Sequence, residues 1–182
     1  MIPNDVEELL HNRFGYPNII IAQVATLSTH DPDIRSMGLF DIDIEGRLIF
    51  LTNRGSHKWT QLSQLPTIAV LLLNLKQDAQ IIARGDAELL TLGSHRDLLE
   101  QYWLRTPHGA QLTYEHQHPE GEYVSLNISA AKGTAPDNFG IIRVTPTNWE
   151  ILDMDVNNYP ASRRICFDRH NKDWKKTRLN AI

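Results

Sequence analysis

Leu48-Ile-Phe-Leu-Thr-Asn-Arg-Gly-Ser-His-Lys58, continued by Trp59-Thr-Gln-Leu-Ser-Gln-Leu-Pro66, is the stretch from which the rest of the chain can be read. It has the order strand, tight turn, helix. Leu48 to Leu51 is a short apolar run of strand formers. Asn53-Arg54-Gly55 is turn chemistry, with a positive φ expected at the glycine. Ser56 is a suitable N-cap, and Trp59, Leu62 and Leu65 give the helix one apolar face before Pro66 stops it. A helix start carries partial positive charge and N–H groups that lack intrahelical acceptors. Arg54, His57 and Lys58 surround this one, with hydroxyls from Thr52 and Ser56, which is the chemistry of a phosphate cradle. A capped surface helix with solvated basic residues accounts for the same residues.

Working outward, the flanks are strand-like. Ile19 to Ser28, Ile34 to Ile42 and the Leu48 run are joined by His30-Asp-Pro-Asp33 and Asp43-Ile-Glu-Gly46. Such connections are too short for parallel crossovers and predict an antiparallel meander. Thr67 to Leu75 is apolar enough for a strand buried on both faces. Ala79 to Leu90 is a long strand in which Gly85 suggests a bulge or bend, the device by which sheets close into barrels. Before the meander, Asn4 could cap a short helix with Glu7 completing a capping box. Ser94 to Leu104 reads as another helix. Thr106 to Glu120 reads as an exposed, mobile loop. His116 and His118 could share a strand face there, but no third ligand is spaced to complete a metal site, and none is expected. Gly140 to Thr145, Trp149 to Asp153, Ser162 to Phe167 and Trp174 to Leu179 read as short strands.

The chain of 182 residues suits a single domain. With 41% hydrophobic and 22% charged residues the composition is ordinary for a globular protein. A net charge of −4 gives no basic excess for nucleic acid or an acidic membrane surface. One cysteine, Cys166, excludes an internal disulfide, and a small buried hydrophobe is its expected role. No secretory signal or membrane-spanning run is visible, so a cytoplasmic address is the default expectation. Nucleotide-triphosphate loops, dinucleotide fingerprints, the serine-hydrolase elbow and the zinc-protease motif are all missing. What remains is a phosphorylated small molecule held by a β scaffold.

Three blocks together resemble the pyridoxamine 5′-phosphate oxidase-like family of FMN-binding split β-barrels. The first runs from Ala25-Thr-Leu-Ser through Arg35-Ser-Met-Gly-Leu to Leu51-Thr-Asn-Arg-Gly-Ser-His-Lys58. The second is Gln80-Ile-Ile-Ala-Arg-Gly85, and the third is Arg163-Arg-Ile-Cys-Phe, Trp174 and Thr177-Arg-Leu179. The resemblance implies a mostly β fold, an antiparallel split barrel of six to eight strands with peripheral helices, forming one FMN-binding domain over residues 1–182. It implies an FMN-dependent oxidoreductase acting on an unidentified small molecule, as a homodimer with FMN at the interface. A flavin- or haem-binding carrier or sensor without turnover is the alternative.

Site residues follow from the same likeness. Arg35 would meet the FMN phosphate or ribityl chain bidentately, and Ser36, Met37 and Gly38 would offer backbone to the ring. Leu51 and Thr52 would lie at the phosphate end. Ser56 and Lys58 match the helix-start phosphate binders, and His57 stands where the oxidases usually have arginine. Gln80 matches a glutamine at the ring edge, and Arg164 a C-terminal arginine near the flavin. No catalytic residue is identified. On the substrate side Tyr102 is retained. The family's substrate-phosphate lysine is replaced by Phe40 and Asp41, its helix arginine falls at Thr106 with Arg105 one place early, and its flavin-side tryptophan falls at Leu152, with Trp149 three residues earlier. Loss of those charge-assisted contacts predicts poor turnover of pyridoxamine phosphate.

Overall fold

The computed structural model describes residues 1–28, 31–116 and 133–180. It is built mainly from strands. In chain order the elements are α1 (Asn4–Phe14), β1 (Ile20–Leu27), β2 (Pro32–Ile42), β3 (Leu48–Asn53), α2 (His57–Gln64), β4 (Thr67–Asn74), β5 (Ala79–Leu90), α3 (Leu92–Arg105), α4 (His108–His116), β6 (Phe139–Asp153), β7 (Arg163–His170) and β8 (Asp173–Leu179). All pairings are antiparallel, in the order β3-β2-β1-β4-β5-β6-β7-β8. A further pairing of β3 with β6 closes the first six strands into a barrel.

β6 is where the barrel splits. Its first part, Phe139 to Val144, pairs with β3, while Asn148 to Asp153 pairs with β7 and carries the β7–β8 hairpin away from the closed wall. The two C-terminal runs that the sequence presents as separate strands are thus one strand crossing Pro146. Proline is tolerated there because the β5–β6 register slips between Arg84 and Gly85, with Gly85 opposite Pro146. This is the irregularity that Gly85 suggested. A Cβ on Gly85 would stand 2.1 Å from the Thr145 carbonyl oxygen, so the close approach needs glycine.

Alternation of apolar residues fills the barrel. Ala22, Val24, Met37, Leu39, Leu48, Phe50, Val70, Leu72, Ile81 and Trp149 belong to one core, to which α1 contributes Val6, Leu9 and Leu10 and α2 contributes Leu62. A second core lies outside the barrel wall, where Ile49, Phe139 and Ile141 meet Leu92, Leu99, Tyr102 and Trp103 of α3. Each fully buried large side chain there is worth about 1.5–3 kcal/mol, enough in sum to fix α3 on β3 and β6.

Several local expectations are corrected. Pro3, not Asn4, occupies the N-cap position of α1, and no side chain caps that helix. Thr91 and Ser94 form the capping box of α3. Gly55 does not take the positive φ expected of it; among the described residues Gly15, Gly46, Asp78 and Asn171 do. Cys166 is only half-buried and accepts a contact from Asn148 Nδ2 at 3.1 Å. β4 is not covered on both faces, since Leu73 is 48% exposed. Residues 108–116, part of the expected mobile loop, form α4. His118 and the rest of that loop beyond His116 lie outside the described residues, so the His116-His118 pair does too.

Candidate functional site

Four elements converge at the start of α2. The β3 strand ends at Asn53, whose side-chain oxygen accepts from Gly55 N at 2.8 Å and whose carbonyl accepts from the Ser56 hydroxyl at 2.8 Å. Ser56 sits at the N-cap position with extended backbone, but its hydroxyl turns back to Asn53 instead of capping the helix. Gly140 on β6 lies opposite Thr52, and a Cβ there would come within 2.6 Å of the Trp59 ring and 2.8 Å of Arg54 Cγ. Arg54 in turn lies 5.8 Å from the centroid of that ring. The missing Cβ lets α2 settle closely on β3 and β6, which fixes the direction of its first turn.

A cavity of about 290 Å³ opens beside this turn. It is lined by Ser36, Met37 and Gly38 of β2, Leu51, Thr52 and Asn53 of β3, Lys58 of α2, and Thr113 and Tyr114 of α4. Six of the eleven cofactor residues expected from the sequence therefore meet in one place: Ser36, Met37, Gly38, Leu51, Thr52 and Lys58. Ser56 and His57 lie in the turn and helix start next to Lys58.

Arg35 takes another path. It points along the barrel end toward α2, where Nη1 donates to Thr26 Oγ1 and Nη2 to Gln61 Oε1 at 3.1 Å, with Asp33 as its ion-pair partner. Slight burial raises the Asp33 carboxyl, but the hydrogen bond and charge of Arg35 outweigh it and hold Asp33 below the usual carboxylate range. Both Nη atoms being engaged, the expected bidentate fork toward a ligand is not presented in this arrangement.

Gln80 and Arg164 are not brought to the cavity. They flank Leu152 in one row across β5, β6 and β7. β1 and β4 lie between β2 and β5, and at about 4.8 Å per strand Gln80 stands roughly 14 Å around the sheet from β2. Arg164 is ion-paired with Glu150 at 2.7 Å. Trp149 is buried in the barrel core and is not part of the cavity's described lining.

Tyr102 is buried, and its hydroxyl donates to Asp41 Oδ2 at 3.2 Å. Burial first, then the neighbouring Asp41 charge, push its pKa up to about 12. Thr106, where the family arginine would fall, is buried with its hydroxyl on the Tyr102 carbonyl at 2.8 Å. Arg105 pairs with Asp41 at 2.7 Å.

Sequence reading missed Asn53, Thr113 and Tyr114. The α4 residues were missed because a segment with several histidines and prolines looks irregular. Its usable signal was Pro107, whose carbonyl accepts from Ala110 N and Gln111 N as the residue before a helix does. Tyr114 is held by edge-on contacts to Trp103 and Phe139 at 6.1 and 5.2 Å between centroids. Burial raises its hydroxyl pKa well above the usual value.

The donors suit the anionic, hydroxyl-rich tail of a flavin mononucleotide: the Lys58 ammonium, the hydroxyls of Ser36, Thr52, Thr113 and Tyr114, and the Asn53 amide, with apolar Met37 and Leu51 beside Gly38. At about 290 Å³ the cavity is at the lower limit of ordinary ligand sites, roughly 300–1,000 Å³.

A family model described as pyridoxamine 5′-phosphate oxidase matches residues 13–153. Curated protein sequences give no match. Among solved structures, the chain is similar to a pyridoxamine 5′-phosphate oxidase-related, FMN binding protein from Nostoc punctiforme, with 18% identity, a TM-score of 0.85, and 99% of this chain and 98% of that one covered. PhzG from Burkholderia lata, solved with tetrahydrophenazine-1-carboxylic acid, shares 20% identity at a TM-score of 0.75, with 97% and 89% covered. General Stress Protein 26 from Bacillus anthracis shares 16% at 0.55, with 80% and 92% covered. At these identities the likeness establishes the fold.

Proposed function

Since this chain belongs to the pyridoxamine 5′-phosphate oxidase family, we propose that it is an FMN-binding flavoprotein, an oxidoreductase acting on a small molecule other than a pyridoxal-type phosphate ester. The observation that carries the proposal is the convergence of Ser36, Met37, Gly38, Leu51, Thr52 and Lys58 on one cavity at the start of α2. Structural similarity to an FMN-binding protein from Nostoc punctiforme supports the choice of flavin.

Bound FMN would supply the redox chemistry, accepting and returning electrons as a hydride equivalent. The protein's contribution is binding and orientation. Lys58, with His57 and the Ser56 turn, would hold the phosphate, and the Thr52 hydroxyl would serve the ribityl end. The β2 segment from Ser36 to Gly38, with Leu51, would offer backbone and apolar surface to the ring. Arg35 acts here as a positioning residue: through Gln61 and Thr26 it ties α2 to β1 and β2.

A homodimer completes the site in this reading. The outer face of β2, β1 and β4 carries exposed Ile34, Ile21 and Leu73, with the hydrogen-bonded Gln23 and Ser36 among them. Antiparallel sheets normally turn polar residues to water, and these three apolar side chains support an interaction surface here. A second copy seated there would bring its Gln80 and Arg164 to a neighbour's cavity.

The pairing of Arg105 with Asp41, and Phe40 where the resemblance expects lysine, support the proposed loss of pyridoxal-phosphate recognition. The second reading remains a flavin- or haem-binding carrier or sensor without turnover.

Titrating purified protein with FMN tests the proposal. Saturable uptake, with flavin bands that bleach under a reductant and return with oxygen, is expected. Lys58→Glu should abolish uptake by setting a like charge beside the phosphate. Colourless protein at micromolar FMN, or full uptake by Lys58→Glu, would refute it. Turnover by any of a panel of electron donors separates the enzyme from the carrier.

A further inference from the structure

The hydroxyls that line the cavity at the start of α2 belong to Ser36, Thr52, Thr113 and Tyr114. Three of them already commit their proton within the chain. Ser36 Oγ donates to Gln23 Oε1 at 3.2 Å, Thr52 Oγ1 to the Asn53 carbonyl at 3.4 Å, and Thr113 Oγ1 to the Ala110 carbonyl at 2.7 Å. Among the described residues no group meets the Tyr114 hydroxyl. Its ring is nevertheless fixed, edge-on to Trp103 and Phe139, and the Asn138 side-chain amide donates to its carbonyl at 2.5 Å.

The same contacts put Tyr114 at the turn end of the cavity. Phe139 is paired in register with Asn53, the last residue of β3. The Asn138 carbonyl accepts from Arg54 N at 2.8 Å, so two hydrogen bonds through Asn138 tie the backbone of Tyr114 to the turn before α2. That turn leads into Lys58, the one cation of the described lining. A phosphate monoester carries about −1.5 to −2 charges at neutral pH, more than one ammonium balances, and its terminal oxygens are strong acceptors. Arg35 does not supply the remainder, since Thr26 and Gln61 hold both its Nη atoms. A hydroxyl left unpaired when a ligand displaces water weakens binding, whereas one that meets an anionic oxygen strengthens it. Burial raises the Tyr114 pKa, so its proton is present throughout the neutral range.

We propose that Tyr114 is a further cofactor-binding residue, its hydroxyl donating to the phosphate of FMN bound at the start of α2. The inference rests on the FMN reading above. It gives α4, which the sequence did not place at the site, the neutral donor that complements Lys58. Because packing already holds the ring, little side-chain freedom is lost when the hydrogen bond forms.

Titrations of the purified chain with FMN and with riboflavin, followed by flavin fluorescence, test this, since riboflavin lacks only the phosphate. Tyr114→Phe keeps the ring on Trp103 and Phe139 and removes the hydroxyl alone. FMN affinity should fall at least about tenfold, the order of a hydrogen bond to a charged group, while riboflavin affinity should change by less than about twofold. Equal losses for FMN and riboflavin would overturn the inference, because the hydroxyl would then face the ribityl chain or the ring. A Tyr114→Phe chain that cannot fold would also overturn it, because the hydroxyl would then serve the fold. A wild-type chain that takes up no FMN would overturn the flavin reading and this inference together, whereas wild-type uptake matched by Tyr114→Phe would overturn this inference alone.

Discussion

Tyr102 shows how one buried hydroxyl links stability to pH. Its pKa is raised to about 12 by burial and by Asp41. The folded chain therefore keeps a proton that the unfolded chain releases near pH 10. Below pH 10 both states are protonated and this contribution to stability is complete. As pH rises from 10 through 12 it is lost, at up to about 1.4 kcal/mol per pH unit. Burial moves Tyr114 in the same direction. Urea midpoints measured across this range should fall steeply above pH 10, and Tyr102→Phe should flatten the fall; a profile unchanged by the substitution would deny the assignment. At this scale Lys58 and Thr52 were legible from sequence, because a charge or hydroxyl at a strand–helix turn has few other neighbours. The Arg35 partners were not. Gln61 lies 26 residues away and reaches Arg35 only because α2 folds across the barrel end.

Among the elements, strands were readable wherever one face fills the barrel, since alternation then appears directly. β6 was misread because proline normally ends a strand, and only the slipped register opposite Gly85 lets it continue. Gly85→Ala should force β5 and β6 apart, the Cβ clash being with backbone that cannot rotate away. A loss of at least about 3 kcal/mol, or failure to fold, is expected in chemical denaturation, and a wild-type midpoint would show that the bulge is not needed. α4 escaped the sequence because its stability comes from Tyr114 packing on Trp103 and Phe139, a tertiary contact. The α4 side of the cavity, Thr113 and Tyr114, therefore depends on an aromatic contact that no local pattern joins.

For the whole molecule, the proposed second copy would reconcile the apolar reading of β4 with the exposure of Leu73. A strand apolar on both faces, one of them uncovered in a single chain, fits a dimer in which that face is buried. Ile21→Glu with Leu73→Glu should give a monomer by light scattering, with FMN affinity lowered because the cavity loses its other half. An undisturbed dimer would place the interface elsewhere. The barrel itself, by contrast, was legible, since short connections between alternating strands admit few topologies. The most direct test mixes two damaged chains. Lys58→Glu breaks the cavity side of a site and Arg164→Glu the side lent to a neighbour, so each alone should take up little FMN. In a mixed pair one site keeps both good halves, and subunit exchange between the two variants should restore flavin uptake. A mixture as empty as its components, beside a wild-type protein that binds FMN, would contradict a site shared between two chains at the start of α2.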